Sequence, residues 1–239
     1  MRTKSALQAA MLMVAACTIL IAKDFWEKPY KEWKKAEAFK MKDNSPWAKS
    51  QTMANSISRR GSSQDRLGDA GKSEIYNSAT VRFFSALPIR QAYVRITQLM
   101  NNYDSKTAEE KAVIDARLSP ALTRDFSKVI MVALEYAGSD PESLRNTKTW
   151  LEQAKADHLK QSCYLISDRL GRVTLEEYYQ PSADGTGAKF VFPSMVGDKP
   201  VVAPEDKEIT FDFWFEPIGE RVLIRFKVKE LIYGGELAY

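Results

Sequence analysis

The stretch EITFDFWFEPIGERVLIRFKVK, residues 208–229, constrains this chain more tightly than any other. Apolar and polar residues alternate on both sides of Pro217-Ile218-Gly219, the period of paired strands with one buried and one wet face. A four-residue turn from Pro217 to Glu220 would set Glu216 opposite Arg221, Phe215 opposite Val222 and Phe213 opposite Ile224. Phe211 would then face Phe226, and Ile209 would face Val228. On the other side Asp212 would meet Arg225 and Glu208 would meet Lys229, so opposite charges pair across the strands. A slip of one residue would turn the phenylalanines onto the charged face, which excludes odd registers.

Other elements follow from period and from start signals. CYLISDRLGRVT reads as a hairpin through Asp168–Gly171, and AKFVFP as a further strand. IYNSATVRFFSA and SKVIMVALEYAG read as strands, the second largely apolar and hence buried. LPIRQAYVRITQLMNNY is a helix opened by Pro88. TAEEKAVIDARL is a helix with Thr107 and Glu110 at capping-box spacing. SDPESLRNTKTWLEQAKADHL is another, with Asp140 as N-cap, Pro141 next and His158 near its end. The chain opens with helices, alternates strands and helices, and closes with consecutive strands. That order predicts an α+β fold, a mixed or mostly antiparallel sheet with helices on one face and a helical N-terminal segment.

The N-terminus suggests where the chain goes. Arg2 and Lys4 precede an apolar run from Ala9 to Ala22, fourteen residues that would span about 21 Å as a helix. The hydrocarbon core of a bilayer is roughly 30 Å thick, so the run suits a secretory leader better than a full span. Residues 1–22 are therefore read as a signal peptide or membrane anchor. Val14-Ala15-Ala16-Cys17 resembles a lipobox, which makes Cys17 a candidate lipidation site. Against this, apolar TILIA follows the cysteine, and a cut after Ala22 would leave Cys17 a bystander. Lys23, Lys28, Lys31, Lys34 and Lys35 come next and oppose translocation, which keeps a retained anchor with a lysine-rich helix on anionic lipid as an alternative.

Residues 23–55 are read as the N-terminal helical segment. YKEWKKAEAFKMK would carry Tyr30, Trp33 and Phe39 on its apolar side, and Ser45-Pro46 would cap and start a second helix. Trp26 and Trp33 are candidate contacts for a membrane interface or partner, with docking of this helix on the main domain as the competing role. Residues 56–73, SISRRGSSQDRLGDAGKS, have almost nothing apolar to bury and read as a flexible polar loop. Gly68–Ser73 is similar to the end of a phosphate-binding loop, but Arg66 stands where that pattern needs glycine. Residues 74–239 form the α+β domain.

Few chemistries can be written on this chain. The net charge is +4, and losing Arg2 and Lys4 with a leader would bring it to about +2, too little to indicate nucleic-acid binding. One histidine and two distant cysteines, Cys17 and Cys163, make no metal cluster of familiar spacing. No cofactor is indicated. Cys163 reads as a buried thiol. Asp184-Gly185-Thr186-Gly187 reads as a turn, with Asp184 a candidate ligand contact. Asp184, Asp212 and Glu216 are the carboxylates available to a hydrolase. Asp212 and Glu216, four residues apart on one strand face, would sit roughly 13 Å apart. That exceeds the spacing of about 6.5–9.5 Å in inverting glycosidases, and ion pairs with Arg225 and Arg221 explain them. Trp214, between charges on the same face, is a candidate contact for a sugar or a protein partner.

DFWEKPYKEWKKAEAFKMKDNSPWAKS, VRFFSALPIRQAY and PSADGTGAKFVFP together resemble a group of uncharacterised secreted bacterial proteins, in which an aromatic helix and a Ser-Pro-Trp element follow a signal peptide. The resemblance implies export and carries no catalytic residue. The function expected is an extracytoplasmic binding or structural module, periplasmic, envelope-anchored or secreted, with an envelope membrane or protein partner; the sequence is silent on any small-molecule ligand. The alternatives are an envelope hydrolase using carboxylates and a membrane-anchored protein with its lysine-rich helix on anionic lipid.

Overall fold

The computed structural model describes residues 24–54 and 76–239. The N-terminal apolar run with Cys17, read above as a signal peptide or anchor, and the polar stretch 56–73 lie outside these residues. The fold is α+β, with two main antiparallel sheets among the described residues.

The first sheet has five strands in the order β1 (Ala48–Ala54), β2 (Tyr76–Phe83), β3 (Val129–Gly138), β7 (Ala188–Pro193) and β6 (Glu177–Tyr179). The second has four: β11 (Glu220–Lys227), β10 (Glu208–Phe215), β4 (Cys163–Ser167) and β5 (Gly171–Thr174). Two short hairpins complete the strands, β8 (Met195–Val196) with β9 (Lys199–Pro200) and β12 (Ile232–Tyr233) with β13 (Glu236–Leu237). The helices are α1 (Lys35–Asp43), α2 (Leu87–Met100), α3 (Ala108–Thr123), α4 (Pro141–Gln153) and α5 (Ala156–Leu159).

The sheets pack face to face through phenylalanines. Phe190 of β7 lies 5.5 Å from Phe211 and 5.2 Å from Phe213 of β10, ring centre to ring centre. Phe83 and Phe226 approach to 4.6 Å. The alternation of β10 and β11 thus does as expected: Ile209, Phe211, Phe213, Phe215, Val222, Ile224 and Phe226 are all buried on one face. Their register differs by two residues. Phe213 pairs with Val222, not Ile224, and Phe211 pairs with Ile224. The loop is Glu216–Gly219, because Gly219 takes the left-handed conformation (φ 62°) that closes it. An even shift keeps every side chain on its face, so pattern alone could not choose. The ion pairs move with it: Asp212 receives Arg221 through both carboxylate oxygens at 2.6 and 2.5 Å, and Glu208 receives Arg225 at 3.5 Å.

The two sheets also meet along their β1 and β11 edges. Gln51 of β1 donates to the Arg221 carbonyl (2.8 Å) and accepts from the Leu223 N–H (2.9 Å). Lys49 reaches the Arg225 carbonyl at 3.0 Å. Side chains thereby occupy backbone groups that an edge strand would otherwise leave open to pairing.

Residues 24–54 contribute more than a helix. Tight 3₁₀ turns occupy Phe25–Glu27 and Tyr30–Glu32, and α1 begins only at Lys35. Ser45 and Pro46 start a turn rather than a second helix: Ser45 N–H donates to Ala48 O and Ala48 N–H to Ser45 O. The Ser45 hydroxyl donates back to Met41 O at 2.8 Å, and β1 follows directly. Serine followed by proline opens a type I turn as readily as a helix. Here strand pairing with β2 decides. Trp33 and Trp47 are fully buried in the same core cluster as the sheet phenylalanines, and Trp47 Nε1 donates to Ala238 O at 2.8 Å.

The helical layer lies on the outer face of the five-stranded sheet, where Arg82 projects from β2. Arg82, 1% exposed, donates to Lys42 O at 2.6 Å, Asp43 at 2.6 Å and Glu135 at 2.7 Å. Asp115 of α3 joins three segments by accepting from Lys31 (2.6 Å), Gln98 (2.8 Å) and the Tyr103 hydroxyl (2.8 Å). The caps are as expected. Thr107 and Glu110 form the capping box of α3, and Asp140 accepts from Ser143 N–H at the start of α4.

Candidate ligand cleft

A cleft of about 600 Å³ opens on the helical face over the β3–β7–β6 side of the sheet. Its floor includes Met131 of β3 and Lys189 of β7, with Tyr179 of β6 directly paired to Lys189. One wall is the end of α3 and the residues after it, Pro120 to Phe126, and the other is the turn at Ser182 and Asp184. Phe84 and Arg90 complete it.

Local chemistry places each group. Helix α3 runs on through Pro120 to Thr123, beyond its apolar pattern, so its last carbonyls need donors. Arg90 of α2 supplies them: Nη1 donates to the carbonyls of Leu122 (2.8 Å), Ala121 (3.1 Å) and Arg124 (3.4 Å). A cation at a helix C-terminus also suits the helix dipole. The Arg90 and Arg124 guanidinium carbons then lie 4.9 and 5.3 Å from the centre of the Phe126 ring. Burial pushes the Arg90 pKa down, and its Nε is buried with no partner. Neither arginine forms an ion pair among the described residues. Asp125, the acid next to Arg124, is taken up by the N–H (2.8 Å) and hydroxyl (3.1 Å) of Ser127.

Among the described residues, Asp184 is the only carboxylate lining the cleft. Its Oδ1 accepts from the Thr186 N–H (2.9 Å) and hydroxyl (2.6 Å), and Oδ2 accepts from Lys189 at 3.2 Å. Partial burial works to raise its pKa, but the bonds from Thr186 and Ser182 and the charge of Lys189 outweigh it and bring it down to about 2. The turn reading of Asp184–Gly187 therefore holds. Gly187 has φ 80°, and a Cβ there would run into the Leu134 carbonyl.

The other sequence candidates are scattered. Trp214 is 49% exposed on the outer face of the four-stranded sheet, cross-strand from Arg221. Trp33 is fully buried, out of reach of any partner, with its Nε1 donating to Lys28 O. Trp26 is half-buried, edge-on to Trp47 at 6.0 Å, and lines a second cleft of about 960 Å³ shared with Tyr233 and Ile232. Acids and lysines are mixed around that cleft. Asp212 is buried against Arg221 rather than Arg225. Glu216 is not on the strand at all: it opens the turn and lies 3.7 Å from His158 Nε2. His158 belongs to the separate short helix α5. Neither Asp212 nor Glu216 lines the cleft with Asp184. Cys163 is buried as expected, and burial, reinforced by Asp212, pushes its thiol well up.

Of the lysines that follow the N-terminal apolar run, Lys28 is paired with Glu37 and Lys31 with Asp115. Among the described residues no three His, Cys, Asp or Glu side chains converge as metal ligands, and no helix is long and apolar enough to cross a membrane. Arg90, Arg124, Phe126, Tyr179 and Lys189 escaped sequence reasoning. They come from α2, the segment after α3, β6 and β7, which share no motif, and no sequence signal marked them. Compared with known proteins, the chain matches no family model, no curated protein and no solved structure.

Proposed function

We propose that this protein is a non-catalytic binding module of the bacterial envelope, exported through its apolar leader, and that its ligand occupies the cleft between the α3 end and the Asp184 turn. One observation carries the binding role over hydrolysis. The carboxylate lining the cleft accepts from Thr186 and Lys189, and its pKa of about 2 leaves it ionised at neutral pH, with no proton to donate and weak as a base. A carboxylate hydrolase needs a second acid with its pKa raised toward neutrality, and Asp212 and Glu216 lie outside the cleft. Export rests on the charged tip and apolar run of residues 1–22 and on the resemblance to secreted proteins.

Intact mass of the native protein in membrane and soluble envelope fractions tests the location. A chain starting at Lys23, or at Cys17 with added acyl groups, supports export. A full-length chain in the cytosol refutes it.

A further inference from the structure

We propose that the cleft recognises an aryl phosphate: an oxyanion bound by Arg90 and Arg124, attached to a flat apolar group that packs on the aromatic lining. The proposal deepens the binding role above and rests on it for the identity of the site.

Charge carries the first half. Of the four charged side chains lining the cleft, Lys189 and Asp184 neutralise each other at 3.2 Å. Arg90 and Arg124 remain, gathered on the single ring of Phe126 with no acid to separate them. Two like charges held together without a counter-ion cost free energy that a bound anion relieves. Arg90 is also pre-set. Its Nη1 is locked onto two α3 carbonyls and that of Arg124 just beyond, so binding freezes little of its side chain. Arg124 is exposed and can swing a planar fork onto the same oxyanion.

The rest of the lining accounts for the second half. Phe84, Met131 and Pro120 present apolar surface, and Tyr179 is 47% exposed at the rim. A volume of about 600 Å³ exceeds what a bare oxyanion fills and lies within the range for small-molecule sites. A phospholipid headgroup offers the same oxyanion without the flat group, so the test separates it from a soluble aryl phosphate.

Calorimetric titration of the whole protein with 4-nitrophenyl phosphate, 4-nitrophenol and inorganic phosphate tests this. 4-Nitrophenyl phosphate is expected to bind at least about tenfold more tightly than either fragment, because 4-nitrophenol lacks the charge-assisted contacts and inorganic phosphate lacks the apolar packing. Arg124→Gln should weaken it by roughly tenfold or more, with unchanged melting temperature because the side chain is exposed. Equal affinity for 4-nitrophenol, or an unchanged Kd in R124Q, overturns the proposal. Sedimentation with phosphatidylglycerol vesicles separates the sources: competition by vesicles that R124Q abolishes assigns the oxyanion to a headgroup, and no competition assigns it to a soluble ligand. Release of nitrophenolate would sink the non-catalytic reading while leaving the anion site standing. Binding failure in a correctly exported protein would sink the aryl phosphate site alone.

Discussion

Phe190 is where the two sheets depend on each other most directly. It is fully buried, and its ring meets Tyr178 at 5.2 Å within its own sheet and Phe211 and Phe213 across the interface. Phe190→Ala removes about 150 Å² of buried apolar surface, which at about 25 cal/mol per Å² is roughly 4 kcal/mol. That agrees with the about 3–5 kcal/mol seen when buried phenylalanines become alanine and leave a cavity. For a chain of this size the loss corresponds to a fall in Tm of about 10 °C. Urea unfolding followed by tryptophan fluorescence and far-UV circular dichroism would read it, with the m-value held constant. Phe213→Ala alone, and the double variant, should reveal a coupling of about 0.5–1.5 kcal/mol, since each ring loses its partner in the other's absence. Trp214→Ala, one residue along on the exposed face, should move stability by less than about 0.5 kcal/mol. A loss below about 1.5 kcal/mol for Phe190→Ala, or additivity with Phe213→Ala, would refute a core shared by both sheets.

Three further outcomes are expected. Gly187→Ala should cost about 3 kcal/mol, because the residue needs a left-handed backbone and its Cβ would meet the Leu134 carbonyl; a melting temperature within 2 °C, about the shift from 1 kcal/mol or less, would contradict that packing. Asp184 has a folded pKa near 2, below its unfolded value of about 4, so its stabilisation is present above pH 4 and is lost as pH falls toward 2. The stability gap between wild type and Asp184→Ala should therefore narrow across that window, and a gap that stays constant down to pH 2 would count against the turn bonds. Arg82→Met should cost about 2–3 kcal/mol, less than for a wholly buried pair, because Asp43 and Glu135 keep about 41% and 43% exposure and can be partly re-solvated; combining it with Glu135→Gln should recover part of the loss in denaturant titrations.

Elements and faces were legible in this sequence because their causes are local. The capping box at Thr107 and Glu110 and the cap at Asp140 each act within one helical turn. The alternation of β10 and β11 specifies which side chains go inside, since side chains switch faces with every residue. Its register was not specified, because a shift of two leaves every face intact and only the left-handed Gly219 distinguishes the two hairpins. Ser45-Pro46 shows the same limit. The dipeptide opens a helix or a turn equally well, and pairing of β1 with a strand more than twenty residues away selects the turn. The sequence puts Trp33 on an apolar side, but it does not show that Trp33 and Trp47 are wholly enclosed. They are enclosed because the N-terminal segment packs against the sheets and the C-terminal residues. The cleft is tertiary throughout. Arg90 enters it because the end of α3 needs donors, Arg124 because that helix ends beside it, and Lys189 and Tyr179 because β7 pairs with β6. Hydrophobic period and capping act over a few residues and can be read along a chain, whereas a binding site gathers residues that only long-range packing makes neighbours.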